Sequence, residues 1–252
     1  MGIPNKAGVF TILVMIGSMD LCNAQLKISK WQVGINGGVF VYMGDLTPSP
    51  LGSFKTLKPV AGLYFSRVLT PSFILRTNLV YGLLAGNESL YSSPAYRQQR
   101  NLSFSSSVKE ISELFVWNMY GNNNNEIGKR ISPYLLGGLG LSFLHVNRSS
   151  NLNKSFFVND PQVLAGVEAD LKNAPPGMIL ILPVGAGIEY YLFEKMSLTA
   201  ETIFRYTFTD YLDGFSLAAN PEKKDFYQSY TVGLVYKFNK VGDNVACPVL
   251  KY

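Results

Sequence analysis

Between Trp31 and Phe238 the sequence alternates apolar and polar residues with a period of two, in eight segments separated by turn-forming residues. Side chains of a β-strand point to opposite faces in turn, so this alternation marks strands with two unlike environments. The segments are Trp31–Tyr42, Pro59–Leu69, Phe73–Ala85, Asn101–Met119, Ser132–Val146, Ile179–Leu192, Ser197–Phe208 and Phe226–Phe238.

The two faces differ in a consistent way. In the first segment Val33, Ile35, Gly37, Val39 and Val41 oppose Gln32, Gly34, Asn36 and Gly38. In the seventh, Leu198, Ala200, Thr202, Phe204, Tyr206 and Phe208 oppose Thr199, Glu201, Ile203, Arg205 and Thr207. Mid-strand charges share a face with glycines, and aliphatics share the other with terminal aromatics. A soluble barrel keeps its apolar face inside. A barrel in lipid does the reverse, with apolar residues and aromatic girdles outward, and closure satisfies every backbone polar group without an edge. The fourth segment fits less well, because Glu113 shares a face with Ile111, Phe115 and Trp117; the pattern leaves open a bulge or a register change there.

The links alternate in length. Those after segments two, four and six are short, and those after one, three, five and seven are long, roughly 43–58, 86–100, 147–178 and 209–225. Short periplasmic turns and long outer loops are the habit of outer-membrane barrels; a soluble sandwich has no reason for it. The expected fold is all-β: an eight-stranded antiparallel up-and-down transmembrane β-barrel over 31–238, with both termini periplasmic.

The N-terminus agrees with export. Lys6 precedes an 11-residue apolar stretch, Ala7–Gly17, and a more polar stretch ends in Cys22-Asn23-Ala24. This reads as a secretory signal peptide over 1–24. The alternative, lipidation at Cys22, lacks the small residues that should precede that cysteine. A short segment, 25–30, then leads into the barrel, and a tail, 239–252, follows it. Cleavage leaves Cys247 as the sole thiol, so no internal disulfide is expected.

Eight strands enclose a space that side chains fill. The inward set is expected to include Arg76, Glu110, Glu189, Glu201, Arg205 and Lys237, three acids and three bases able to pair. That makes a plugged interior, not a pore. The only histidine, His145, falls on the outward face, a poor place for a general base. No phosphate loop, metal-ligand cluster or nucleophile–base arrangement stands out, so no catalytic residue, cofactor, nucleic acid or small-molecule substrate is expected.

Several strings carry a family resemblance. They are Tyr42-Met43-Gly44-Asp45-Leu46, Arg100-Asn101-Leu102-Ser103-Phe104, Pro133-Tyr134-Leu135 with Gly137-Gly138 and Gly140, Pro183-Val184-Gly185-Ala186-Gly187, and Tyr206-Thr207-Phe208-Thr209-Asp210-Tyr211-Leu212-Asp213-Gly214. Thr231-Val232-Gly233-Leu234-Val235-Tyr236-Lys237-Phe238 looks like a closing-strand signal for barrel assembly. In this order the chain resembles the PorG family, small outer-membrane barrels of the type IX secretion system of Bacteroidota. The resemblance implies a non-enzymatic component associated with periplasmic ring proteins, a lipoprotein and its partner. The other reading is a stand-alone barrel with a structural or surface-ligand-binding role.

Two clusters are candidate sites. At the outer mouth, Arg100 is expected to pair with Asp45, Asp210 or Asp213 and brace the loops. On the periplasmic side, Lys27, Lys30, Arg67, Lys129, Arg130, Lys195, Lys240 and Lys251 face only Glu126, Glu194 and Asp243. Such a basic rim suits either the phosphates of outer-membrane lipids or an acidic ring protein. Lys129, Arg130, Lys195, Lys240 and Cys247 are the expected partner contacts.

Overall fold

The structure, a computed structural model, describes residues 30–49, 51–121, 123, 129–193, 195–218 and 224–238. The leader and the tail, with Lys240 and Cys247, lie outside the described residues, as do Glu126 and Glu194.

Eight strands form one antiparallel barrel: β1 (Lys30–Met43), β2 (Lys58–Val68), β3 (Phe73–Asn87), β4 (Leu102–Asn118), β5 (Ile131–Ser150), β6 (Met178–Phe193), β7 (Met196–Thr207) and β8 (Phe226–Phe238). Each pairs with the next, and β8 returns to β1, with Trp31 opposite Phe238 and Met43 opposite Phe226. The short turns gather at one end, where β1 begins and β8 finishes, and the long loops gather at the other. Two helices lie in those loops, α1 (Tyr96–Arg100) and α2 (Pro161–Lys172).

The outward face is apolar. Ile35, Leu139 and Val232 are 57%, 58% and 62% exposed, far more than a water-facing sheet would leave open at mid-strand. Aromatic residues border this belt. Trp31, Trp117, Tyr190 and Phe238 stand toward the turn end, and Tyr81, Phe143, Tyr206 and Tyr230 toward the loop end. The chain is thus a transmembrane-type barrel.

Three details differ from the reading of the sequence. First, β4 carries no register change: it pairs with β3 and β5 without a shift, and Glu113 points outward. Its Oε2 accepts a 2.7 Å hydrogen bond from Thr77 Oγ1 on the neighbouring strand, which supplies a polar partner within the apolar belt. The shift found among the described pairs lies in β6–β7, between Tyr191 and Phe193. Second, β5 continues past Val146 to Ser150, paired to a run of serines on β4, and Ser103 and Ser149 share a 2.9 Å hydroxyl contact. Alternation fades there because both faces are polar. Third, the interior is not wholly polar. Phe40, Tyr42, Leu84, Leu102, Phe104, Val108, Leu144 and Ile181 form an apolar layer toward the loop end. Interior glycines make room for large rings. At Gly34 a β-carbon would sit 2.1 Å from the Tyr64 ring.

Candidate functional site

The strand register places the six interior charges in three buried pairs. Arg76 Nη1 meets Glu201 Oε1 at 2.5 Å, Arg205 Nε meets Glu110 Oε2 at 2.8 Å, and Lys237 Nζ meets Glu189 Oε1 at 2.6 Å. Each pair joins strands that are not neighbours, so the pairs run across the lumen. Aromatic side chains complete the solvation that water would give. Tyr134 donates its hydroxyl to Glu201, and the Arg76 guanidinium lies 4.3 Å from the Tyr64 ring centre. Tyr227 and Ser112 donate to Glu110, and Ser229 accepts from Arg205. A buried charge is tolerated when it is paired and hydrogen-bonded in this way. The space beside Arg76, Gln32 and Glu189 is about 10 Å³, room for about one water. Among the described residues, these pairs span the interior and brace the barrel.

The loop end is closed by a second network that ties all four loops together. Glu88, fully buried at the end of β3, accepts from Arg100 through Nη2 at 2.5 Å and Nε at 3.0 Å, and from Arg97 Nη1 at 3.3 Å. Arg97 also reaches the carbonyls of Asp45 and Thr47 in the first loop. Arg100 Nη1 donates to the carbonyl of Ala218 in the fourth loop. From α2 in the third loop, Asp170 accepts the backbone N–H groups of Ser216, Leu217 and Ala218 and the hydroxyl of Tyr211.

The expected outer-mouth set therefore needs correction. Arg100 takes Glu88 as its hydrogen-bonded carboxylate, not Asp210 or Asp213, while Asp45 acts on it through its field. The reason is local: Glu88 is wholly buried beside α1 and needs a cation there, whereas Asp213 finds its donors elsewhere. Asp213 Oδ2 lies 2.6 Å from the Tyr42 hydroxyl, and its Oδ1 accepts Phe215 N–H at 2.8 Å. Asp225 Oδ1 lies 2.8 Å from the same hydroxyl.

That triad favours protonation of its acids. The Tyr42 hydroxyl has one proton and can donate to one acid only. The other short contact requires the acid to be the donor. The Phe215 N–H favours the charged form of Asp213, so of the two acids Asp225 holds a proton the more readily. Burial pushes the Asp225 carboxyl well above the ordinary range, and the charge of Asp213 adds to the effect. Asp213 is raised for the same first reason, burial. Asp210, half-buried, is pushed up to about 6 by desolvation first, with Asp45 and Asp170 adding to the rise and Ser216 opposing it. Gly44 permits the triad, since a β-carbon there would lie 1.9 Å from Asp225 Oδ1 and 2.1 Å from the Tyr42 hydroxyl oxygen.

Sequence reasoning missed Tyr42, Glu88, Arg97, Asp170 and Asp225. Tyr42 and Gly44 did stand in a quoted string. Asp170 had no signal beyond its place in a long loop.

At the turn end Lys129, Arg130 and Lys195 are exposed. The Lys129 ammonium sits 3.9 Å from the Tyr120 ring centre, and Arg67 lies over Trp31. Asn123 is buried beneath this rim, bonded to Asn118 and to the carbonyls of Thr70 and Pro71. His145 is exposed on the outward face, opposite Ser107 of β4. Among the described residues no group of three metal-ligating side chains converges.

No curated protein matches the sequence. Among solved structures, Neisserial surface protein A is 14% identical with a TM-score of 0.48, covering 82% of this chain and 97% of its own. Ail, the attachment invasion locus protein of Yersinia pestis, solved with the heparin analogue sucrose octasulfate, is 11% identical with a TM-score of 0.44, covering 83% and 99%. A major outer membrane protein from Thermus thermophilus is 12% identical with a TM-score of 0.44, covering 82% and 99%. The family model described as a domain of unknown function, DUF6089, matches residues 7–239, and the chain belongs to that family.

Proposed function

We propose that this protein is a non-enzymatic barrel of the bacterial outer membrane that serves a type IX protein secretion machine, anchoring or associating with its periplasmic ring. The observation that carries a binding role is the lumen. Among the described residues three cross-lumen ion pairs and an apolar layer occupy it, which supports a role other than transport through the barrel or catalysis inside it. Its surfaces are what remain for function. The secretion role itself rests on the resemblance to the PorG family in the strings from Tyr42 to Gly214. The exposed Lys129, Arg130 and Lys195, together with Lys240 and Cys247 of the tail, form the surface offered to ring proteins, where positive charge steers association more than it sets final affinity.

The test is deletion of the gene, read as secretion of cargo with membrane integrity measured alongside, and a mild-detergent pulldown of the tagged barrel analysed by mass spectrometry. Loss of secreted cargo with an intact membrane, and recovery of periplasmic ring proteins, is the expected result. Charge reversal at Lys129, Arg130 and Lys240 should release the ring proteins without lowering barrel level. Unchanged co-purification, also in Cys247→Ser, would refute this surface.

A second reading is a stand-alone barrel with a structural or surface-ligand-binding role. The braced loop end favours it, because four loops tied by Glu88, Arg100 and Asp170 present a fixed outer surface. Normal cargo secretion in the deletion strain would select this reading.

A further inference from the structure

The outward face of β3, β4 and β5 changes character along its length. On β3, Leu79, Tyr81 and Leu83 give way to Ala85 and Asn87; on β5, Leu141 and Phe143 give way to His145, Asn147 and Ser149. On β4 the change comes one step earlier, at Lys109, which the register places between Tyr81 and Phe143, and Ser107, Ser105 and Ser103 follow. Beyond the apolar belt the polar ends of these strands wall a cavity of about 460 Å³, closed on one side by Lys55 and Lys58. A smaller cavity of about 230 Å³ adjoins it, sharing Lys58, Ser105 and Asn147 and reaching down to Leu83 and His145. Among the described residues no Asp or Glu lines either cavity.

We propose that this face holds the phosphate-bearing headgroup of an outer-leaflet lipid, with Lys55, Lys58 and Lys109 taking the anion and the serine and asparagine side chains taking its hydroxyls. Of the strand residues that line it, Ala85, Asn87, Ser103, Ser105, Asn147 and Ser149 lie on the outward face, just beyond the end of the apolar belt. An anionic head joined to an apolar tail is the chemistry that fits both halves of such a surface. Lys55 is held in place: its ammonium donates to the Leu90 carbonyl at 3.1 Å and lies 5.4 Å from the Tyr91 ring centre. An ammonium has three donors, so that bond leaves others for a ligand. The Ser103–Ser149 hydroxyl contact fixes the upper wall. The site needs only a barrel in a membrane and is independent of the secretion role.

The full-length barrel, purified in a non-ionic detergent, is titrated with fluorescent lipid A carrying its phosphate. Dephosphorylated lipid A and inorganic phosphate are the comparison probes. Phosphorylated lipid A is expected to bind at least tenfold tighter than the dephosphorylated form, with inorganic phosphate at millimolar concentration competing weakly. Lys55→Gln, Lys58→Gln and Lys109→Gln together should weaken binding at least tenfold, since each surface-proximal cation contributes about fivefold. Lys172→Gln, whose side chain is exposed at the end of α2, should change nothing. A triple variant that shows the heat-dependent gel shift of a folded barrel yet binds as the parent does would overturn the proposal. So would full competition by inorganic phosphate together with no preference for the lipid.

Discussion

Asp170 Oδ2 accepts the backbone N–H of Ala218 at 2.8 Å, and by that bond a helix of the third loop holds the fourth loop across the barrel mouth. Two further N–H groups and a tyrosine hydroxyl end on the same carboxylate, so removing it leaves all of these donors without that acceptor. Asp170→Ala should cost about 3 kcal/mol of local stability, taking about 1 kcal/mol for each N–H that loses its partner. Amide hydrogen exchange at 216–218 should quicken by about a hundredfold. The barrel's own heat-modifiable shift should stay the same, and equal loss of both would show that the cap and barrel unfold together.

The cross-lumen pair of Arg205 and Glu110 offers a test of what buried charge does here. Arg205→Met alone and Glu110→Leu alone should each destabilise by about 3–5 kcal/mol, because each leaves an unpaired buried ion. The double replacement should cost less than either single one. Urea dependence of the gel shift measures all three, and additive losses would contradict the pairing.

The outer-mouth acids predict the direction of a pH effect. Asp210 is pushed up to about 6, against about 3.9 for a free aspartate. The folded cap thus binds a proton more tightly than the unfolded chain, so cap stability falls as pH rises from about 4 through 6. The raised Asp225 and Asp213 extend the loss to higher pH. Exchange at 211–218, corrected for intrinsic rates, should accelerate between pH 5 and 8. Asp225→Asn keeps an N–H donor toward Tyr42 and should flatten the upper part of that profile. A cap that tightens as pH rises would contradict the assignment.

Orientation is testable with single cysteines in a Cys247→Ser background. Ser92 is exposed in the second loop and Lys129 in a short turn. Ser92→Cys should react with a membrane-impermeant maleimide on intact cells, and Lys129→Cys only after permeabilisation. The reverse pattern would invert the barrel.

Glu113 lies in the apolar belt with Thr77 as its partner. A carboxylate facing lipid is unfavourable, by up to about 2 kcal/mol at mid-depth. Glu113→Leu with Thr77→Val should therefore raise the urea midpoint in detergent or bilayer. A drop instead would mean that another chain uses this face.

Strand identity, and which residues face lipid, followed from the sequence alone, because a period of two converts directly into two faces. The apolar set Leu198, Ala200, Phe204 and Tyr206 and the polar set Glu201 and Arg205 needed no coordinates to separate. Loop alternation likewise told the two ends apart. The tertiary structure decided who meets whom. That Arg76 meets Glu201 and not Glu189 depends on strand tilt and stagger, which bring β3 and β7 together across the lumen and leave no trace in local pattern. Glu113 read as a break in β4 because its partner, Thr77, belongs to another strand and a single strand's pattern cannot contain it. The mouth was the least legible part. Glu88 and Arg97 come from the second loop, Asp170 from the third and Asp225 from the fourth, with no periodicity, and their meeting is set by closure of the barrel beneath them. Side-chain chemistry fixed what each residue can bond, and only the closed fold determined which bonds are within reach.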